Sequence, residues 1–227
     1  MEDNRILDCN LIVDCDEILY NISPKWCRGI YERKEIFEPY LRIDILERAI
    51  KEGENFDDVI LSRDKFYITE WLKKDNVDIP ENIFKEFMSI YNAKDYYDDL
   101  KPTAMGIGIS RLSRSPNVKK VYAVSRHAEN ESGSRDSKIR AIKGLFPSNK
   151  LELKIVGRNE KKSDAIKGID ITNGFIFEDE MNNILDYLTN AENVTHCNIC
   201  VPVLGYNLPS EQIIKLMEER EVCFLTY

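Results

Sequence analysis

The sequence predicts an α/β protein built on a doubly wound, Rossmann-like parallel sheet. Three observations lead there: short apolar runs alternate with amphipathic stretches, the first run ends in an acid, and one long aromatic-rich segment interrupts the alternation. Residues 10–15 (Asn-Leu-Ile-Val-Asp-Cys) form the first run. A buried parallel strand reads this way when it delivers a carboxylate to its C-terminal edge. Further strands are expected at 119–125, 151–156, 174–178, 197–203 and 222–226. Between them, 137–145, 162–167, 180–188 and 210–220 carry apolar residues three or four apart among charges, and Pro209-Ser210 suits a helix start. In such a sheet the ligand site lies at the carboxyl ends of the strands.

Residues 20–100 break the pattern, being rich in Trp, Tyr, Phe and charge, with amphipathic stretches near 39–52, 65–74 and 81–91. They are expected to form a helical cap domain inserted after strand one, leaving 1–19 and 101–227 as the core domain. The chain returns through Asp98-Asp99-Leu100-Lys101-Pro102-Thr103, where a proline can open a new helix. No fixed-period repeat or low-complexity tract is present.

With 227 residues, 43% of them hydrophobic, the chain can bury one full core and a smaller appendage. Lys and Arg number 32 against 40 Asp and Glu, and the net charge of −8 disfavours a nucleic-acid backbone or an anionic membrane as partner. A homo-oligomer is compatible with this composition. The N-terminus is charged and its apolar run is too short for a signal or a spanning helix, so a cytoplasmic location is expected. Six cysteines follow no regular frame and read as small buried hydrophobes in a reducing compartment. Cys197-Asn-Ile-Cys200 has zinc-type spacing, but it lacks a second pair, and strand alternation points its sulfurs to opposite faces. His127 and His196, the two histidines, lie too far apart in the chain to suggest a metal cluster or a nucleophile–base pair. There is no Gly-x-x-x-x-Gly-Lys loop and no Gly-x-Ser-x-Gly elbow, which argues against a nucleoside-triphosphate motor or a serine hydrolase.

The sharpest chemical signal is Leu11-Ile12-Val13-Asp14-Cys15-Asp16. Alternate residues leaving a strand can share one side, so two acids can converge on a hard cation and one phosphate. Paired acids at a strand end also serve as turn residues or helix caps. Further along, 121–125 ends in Ser125, Glu160-Lys161-Lys162-Ser163-Asp164-Ala165-Ile166 opens a helix on a lysine, and Phe175-Ile176-Phe177 is followed by Glu178-Asp179. In kind and order these resemble the four motifs of the haloacid dehalogenase superfamily, over roughly residues 10–190.

The resemblance implies a magnesium-dependent phosphohydrolase. Asp14 would be the phosphoryl-accepting nucleophile and Asp16 its acid/base partner, with Ser125 and Lys162 binding the phosphoryl group. Lys161 and Lys167 remain alternatives to Lys162. Magnesium would take Asp14, the main-chain carbonyl of Asp16 and a strand-four acid, Asp179 or Glu178. Arg126 and His127, with Arg135 and Lys138 nearby, could face an anionic substrate or the solvent. A cap in this position, together with the 96–103 lead-in, is similar to deoxyribonucleotidases and implies a small phosphorylated substrate, a nucleotide monophosphate among them. Trp26, Tyr31, Phe66, Tyr67 and Trp71 could stack on a base or form the cap's own core. One departure stands out: Glu17-Ile18-Leu19 occupies the place where the family often has Gly-Thr-Leu. A catalytically silent binding or assembly module is therefore the second reading, and a phosphatase of nucleic-acid ends the third.

Overall fold

The strands β1 (Cys9–Val13), β2 (Val118–Arg126), β3 (Leu151–Val156), β4 (Phe175–Phe177), β5 (Asn198–Val201) and β6 (Cys223–Thr226) form one six-stranded sheet in the order β3-β2-β1-β4-β5-β6. Every neighbouring pair is parallel. The structure is a computed structural model and describes residues 8–51, 55–127, 132–157 and 159–226. The N-terminal residues 1–7, on which the expectation about export partly rests, lie outside them.

The chain winds outward from β1 through β2 to β3, then returns to the other side of β1 and winds through β4 and β5 to β6. The crevice at this reversal opens between the C-terminal ends of β1 and its neighbours, the usual ligand position in such sheets. Alternation along β1 explains its central place: Leu11 and Val13 pack into one buried cluster and Ile12 into another on the opposite face. The second cluster covers one face of the sheet with α9 (Lys162–Ala165), α10 (Met181–Asn190) and α11 (Glu211–Glu219). Cys197 and Cys200 fall into different clusters, so their sulfurs are buried on opposite sides of the sheet and form no site.

Between β1 and β2 the chain runs through α1 (Ile22–Glu32), α2 (Lys34–Phe37), α3 (Ile43–Lys51), α4 (Phe56–Leu61), α5 (Ile68–Leu72), α6 (Glu81–Tyr91) and α7 (Ala104–Ser113). The points of departure and return are adjacent: Tyr20 bridges Pro102, and Thr103 N donates to Leu19 O at 2.9 Å. Thr103 also caps α7 by accepting from Gly106 N. Gly106 has to be glycine, because a Cβ there would meet Leu19 O at 2.8 Å. Between β2 and β3 lies α8 (Ser132–Leu145). It begins five residues before its expected start, in a turn without apolar periodicity, where buried Ser134 and Ser137 allow close packing. The stretch expected near 65–74 shrinks to α5, because Lys73 adopts an extended backbone. Similarly, α9 stops at Ile166, short of Lys167. Strand β5 stops at Val201 because Pro202 has no N–H to continue the ladder. Among the described residues no helix is long and apolar enough to cross a membrane.

Candidate active site

Asp14 follows β1 and stays in register, with its N–H donating to Phe177 O of β4 at 3.0 Å. Its carboxylate is thus fixed at the centre of the crevice. Cys15 N donates to Asp14 Oδ1 at 2.7 Å, and Lys162 Nζ lies 2.8 Å from Oδ2. Burial alone would raise the Asp14 pKa, but the charges of Lys162 and Lys138 and these hydrogen bonds outweigh it and hold the carboxyl below its ordinary value. Asp14 is therefore an ionised, desolvated carboxylate, the form in which it can act as a nucleophile.

Lys162 opens α9 and is 1% exposed. Besides Asp14 it reaches Glu178 Oε2 at 2.9 Å, and the two carboxylates keep it protonated despite its burial. Lys161 is exposed, and Lys167 is an exposed partner of Asp164, so neither reaches the crevice. Glu178 and Asp179 follow β4. Glu178 Oε1 accepts from Asn183 Nδ2 at 3.1 Å and from Glu180 N at 3.3 Å. Burial pushes its pKa up to about 7 against the pull of Lys162. Asp179 is pushed well up, first by burial and then by the charges of Glu178, Asp14 and Glu17, while Tyr206 OH donates to its Oδ2 at 2.8 Å. One oxygen from each of Asp14, Glu178 and Asp179 lies within 4.8 Å of the others, and all three residues are buried.

Asp16 turns away from this trio. Tyr97 OH donates to its Oδ1 at 2.6 Å and Lys138 Nζ to its Oδ2 at 2.8 Å. Tyr91 OH joins the network 3.0 Å from Tyr97 OH. Lys138, on α8, is fully buried and also donates to Arg126 O at 3.1 Å. Of the two basic residues near 135–138, only Arg135 faces solvent. Sequence reasoning missed Tyr97, Lys138 and Tyr91 as partners of Asp16, Tyr206 as partner of Asp179, and Asn183 as partner of Glu178. Such contacts join distant segments and leave no local pattern to read.

Ser125 sits at the end of β2, fully buried, and its hydroxyl has no hydrogen-bond partner among the described residues. It does not line the crevice cavity, whereas Arg126, His127 and Lys162 do. That cavity, about 460 Å³, lies between the strand ends and the helices that follow β1, within the size range of small-molecule sites. Trp26, Phe66, Tyr67, Phe84, Phe87 and Tyr91 give it aromatic walls. Tyr31 is instead a partly buried residue packed on the core and Trp71 a buried core residue. His196 is remote, an exposed partner of Glu221.

The cavity walls hold five carboxylates (Asp14, Asp16, Glu17, Asp179, Glu180) against three fixed cations (Arg63, Arg126, Lys162). Asp14 and Asp179 line this cavity, and their oxygens, together with one from fully buried Glu178, form a compact set that suits a divalent cation with oxygen ligands.

No family model matches the chain, and no curated protein sequence matches it. Among solved structures, it is similar to a hydrolase from Streptococcus pneumoniae TIGR4 at 11% identity, covering 95% of this chain and 100% of that one with a TM-score of 0.47. A haloacid dehalogenase-type hydrolase from Bacillus subtilis, bound to magnesium, shares 14% identity over 95% of this chain and 99% of that one, with a TM-score of 0.46. A haloacid dehalogenase superfamily hydrolase of subfamily IA from Geobacter sulfurreducens PCA shares 14% identity over 93% and 95%, with a TM-score of 0.45. At these values the likeness assigns this chain no activity and no ligand.

Proposed function

We propose that the chain is a phosphomonoester hydrolase that works through an aspartyl-phosphate at Asp14. The observation that carries this reading is the buried bridge from Asp14 through Lys162 to Glu178, with Asp179 alongside, at the reversal point of a parallel sheet. An ionised carboxylate backed by a buried lysine is suited to attack phosphorus while the lysine offsets charge growing on the phosphoryl oxygens. Asp14, Asp179 and the main-chain carbonyl of Asp16 would hold magnesium, with Glu178 as ligand or support, and the ion would neutralise charge on phosphate and acids alike.

In the first step the Asp14 oxygen forms the bond to phosphorus as the ester oxygen leaves and takes a proton from Asp16. In the second, Asp16 takes a proton from water, which attacks phosphorus and frees Asp14. Asp16 thus enters the first step protonated and the second as a carboxylate, and Tyr97 and Lys138 hold its carboxyl group in one orientation for both transfers. The Arg126 guanidinium would bind the phosphoryl oxygens from the cavity wall, and the Ser125 hydroxyl, which does not line the cavity, would join it only by turning towards them. The unpartnered, buried Ser125 hydroxyl supports this role.

The helices from α1 to α6 act as a cap domain over this chemistry, excluding water and reading the part of the substrate remote from phosphorus. Aromatic walls in a cavity of about 460 Å³ support a small substrate with a flat ring, such as a nucleotide monophosphate. The test is a panel of phosphoesters assayed with and without magnesium. Turnover that needs magnesium and vanishes in Asp14→Asn is expected, whereas a folded chain inert to every ester would end the reading.

A further inference from the structure

Glu17, in the turn between the two catalytic acids and α1, has two features that its neighbours do not explain. Its backbone has φ 58, the left-handed region that costs a residue with a Cβ about 1 kcal/mol relative to glycine. Its carboxylate is buried at 6% exposure on the cavity wall. Strain of this kind, held in place beside a reaction centre, points to function.

Half of the carboxylate has a structural duty. Oε1 accepts from Ser23 N at 3.0 Å and from Ser23 Oγ, in the first turn of α1, whose N-cap Asn21 makes no side-chain cap. The other half does not: Oε2 is buried and has no hydrogen-bond partner among the described residues. Burial raises the Glu17 pKa above its ordinary value, and the charge of Arg63 only tempers this. Its guanidinium, however, donates to Ile60 O and Phe66 O and stacks on Tyr206. Capping α1 requires a single acceptor oxygen, which a glutamine would supply equally well. The second oxygen is surplus to folding and costly to leave without a donor.

We infer that Glu17 is a specificity-determining acceptor for the leaving group. On this inference, which rests on the phosphohydrolase reading above, preferred substrates are phosphomonoesters of alcohols that carry a hydroxyl or amino donor within a few atoms of the ester oxygen. Glu17 lines the same cavity as Asp14 and Asp16, and it is near enough to Asp179 and Asp16 for their charges to interact, which puts it beside the proposed reaction centre. Ring-bearing remainders are left to the aromatic walls. Glycine, the simpler residue for this backbone, could not make the contact.

The test compares ribose 5-phosphate and glycerol 1-phosphate, which carry such donors, with propyl phosphate and phenyl phosphate, which do not. The quantity read is the ratio of kcat/KM between the two groups of esters, in the full chain and in Glu17→Gln. Glutamine keeps the cap on α1 but offers an N–H where Oε2 stands. Replacing this acceptor oxygen by an amide donor is expected to lower the ratio about tenfold. Glu17→Gly, which relieves the backbone, is expected to lower it at least as far, and circular dichroism checks that both variants fold. A ratio unchanged in both folded variants overturns the inference and leaves Glu17 as a cap alone.

Failure of the phosphatase reading is kept separate by calorimetry with magnesium, using Asp14→Asn and Asp14→Asn/Glu17→Gln. If the wild type hydrolyses nothing, a donor-dependent affinity ratio that falls with Glu17→Gln still supports the inference. Equal affinities in the two proteins, or no binding of any ester, overturn it.

Discussion

Lys162 Nζ lies 2.8 Å from Asp14 and is buried, so the nucleophile and its cation form a desolvated pair away from bulk water. A third group, Glu178, completes the bridge at 2.9 Å. Removing one partner from such a pair leaves buried charge without compensation, typically at a cost of about 3–5 kcal/mol. Lys162→Met is therefore expected to lower thermal stability and to cut kcat/KM by about a hundred- to a thousandfold, the usual loss of a charge-stabilising group. Calorimetric melting and steady-state kinetics on the same preparation check both. A Met variant with wild-type turnover would remove Lys162 from the mechanism.

Asp14→Asn deletes the nucleophile while preserving shape and relieves repulsion with Glu178 and Asp179. Turnover is expected to vanish, while the melting temperature of the metal-free protein should fall less than in Lys162→Met, because Glu178 still pairs with Lys162. In the wild type, beryllofluoride with magnesium should raise the melting temperature, and in the variant it should not.

Metal binding should depend on pH in a defined direction. The folded protein holds a proton on Glu178 up to about 7, whereas the unfolded chain releases it near the ordinary value of 4.5. Between those values the metal-free fold binds a proton that the unfolded state does not, so this group makes stability fall as pH rises. Asp14, held below its ordinary value, acts in the opposite sense, and its contribution is lost only as pH drops below about 4. A cation must displace the Glu178 proton, so magnesium affinity should rise roughly tenfold from pH 6 to pH 8, with proton release. Calorimetry in buffers of different ionisation enthalpy measures both, and an affinity flat across that range would contradict it.

Tyr97→Phe removes the donor at 2.6 Å from Asp16 Oδ1 without changing volume greatly. A hydrogen bond to a charged group is worth about 1.5–3 kcal/mol, so kcat is expected to fall about ten- to a hundredfold. Because Tyr97 orients a proton-transfer group and does not line the cavity, KM should change little. A variant that loses affinity with kcat intact would reassign Tyr97 to substrate binding.

Gly205 joins the loop after β5 to α4: a Cβ there would lie 2.2 Å from Ser62 O and 2.4 Å from Arg63 O. Its neighbour Tyr206 donates to Asp179 and packs against Phe66. Gly205→Ala should force the loop off the helical segment, weaken magnesium binding through displaced Tyr206, and lower stability by more than 1 kcal/mol. Magnesium titration and thermal melting of the variant test it.

The sequence by itself determined the alternation of strands and helices, the sheet type, and the carboxylates at the ends of β1 and β4. These are local properties: apolar runs must be buried, and an acid that ends such a run lies at the sheet's edge wherever the strand goes. What each acid meets there was decided by the tertiary structure. Asp16 is held by Tyr97 and Lys138, 81 and 122 residues away in the chain, and Asp179 by Tyr206, 27 residues on. Glu17 looked from the sequence like a departure that hinders the turn. Only the fold reveals one oxygen capping α1 and the other left without a partner, because burial and hydrogen-bond satisfaction depend on segments that meet after folding.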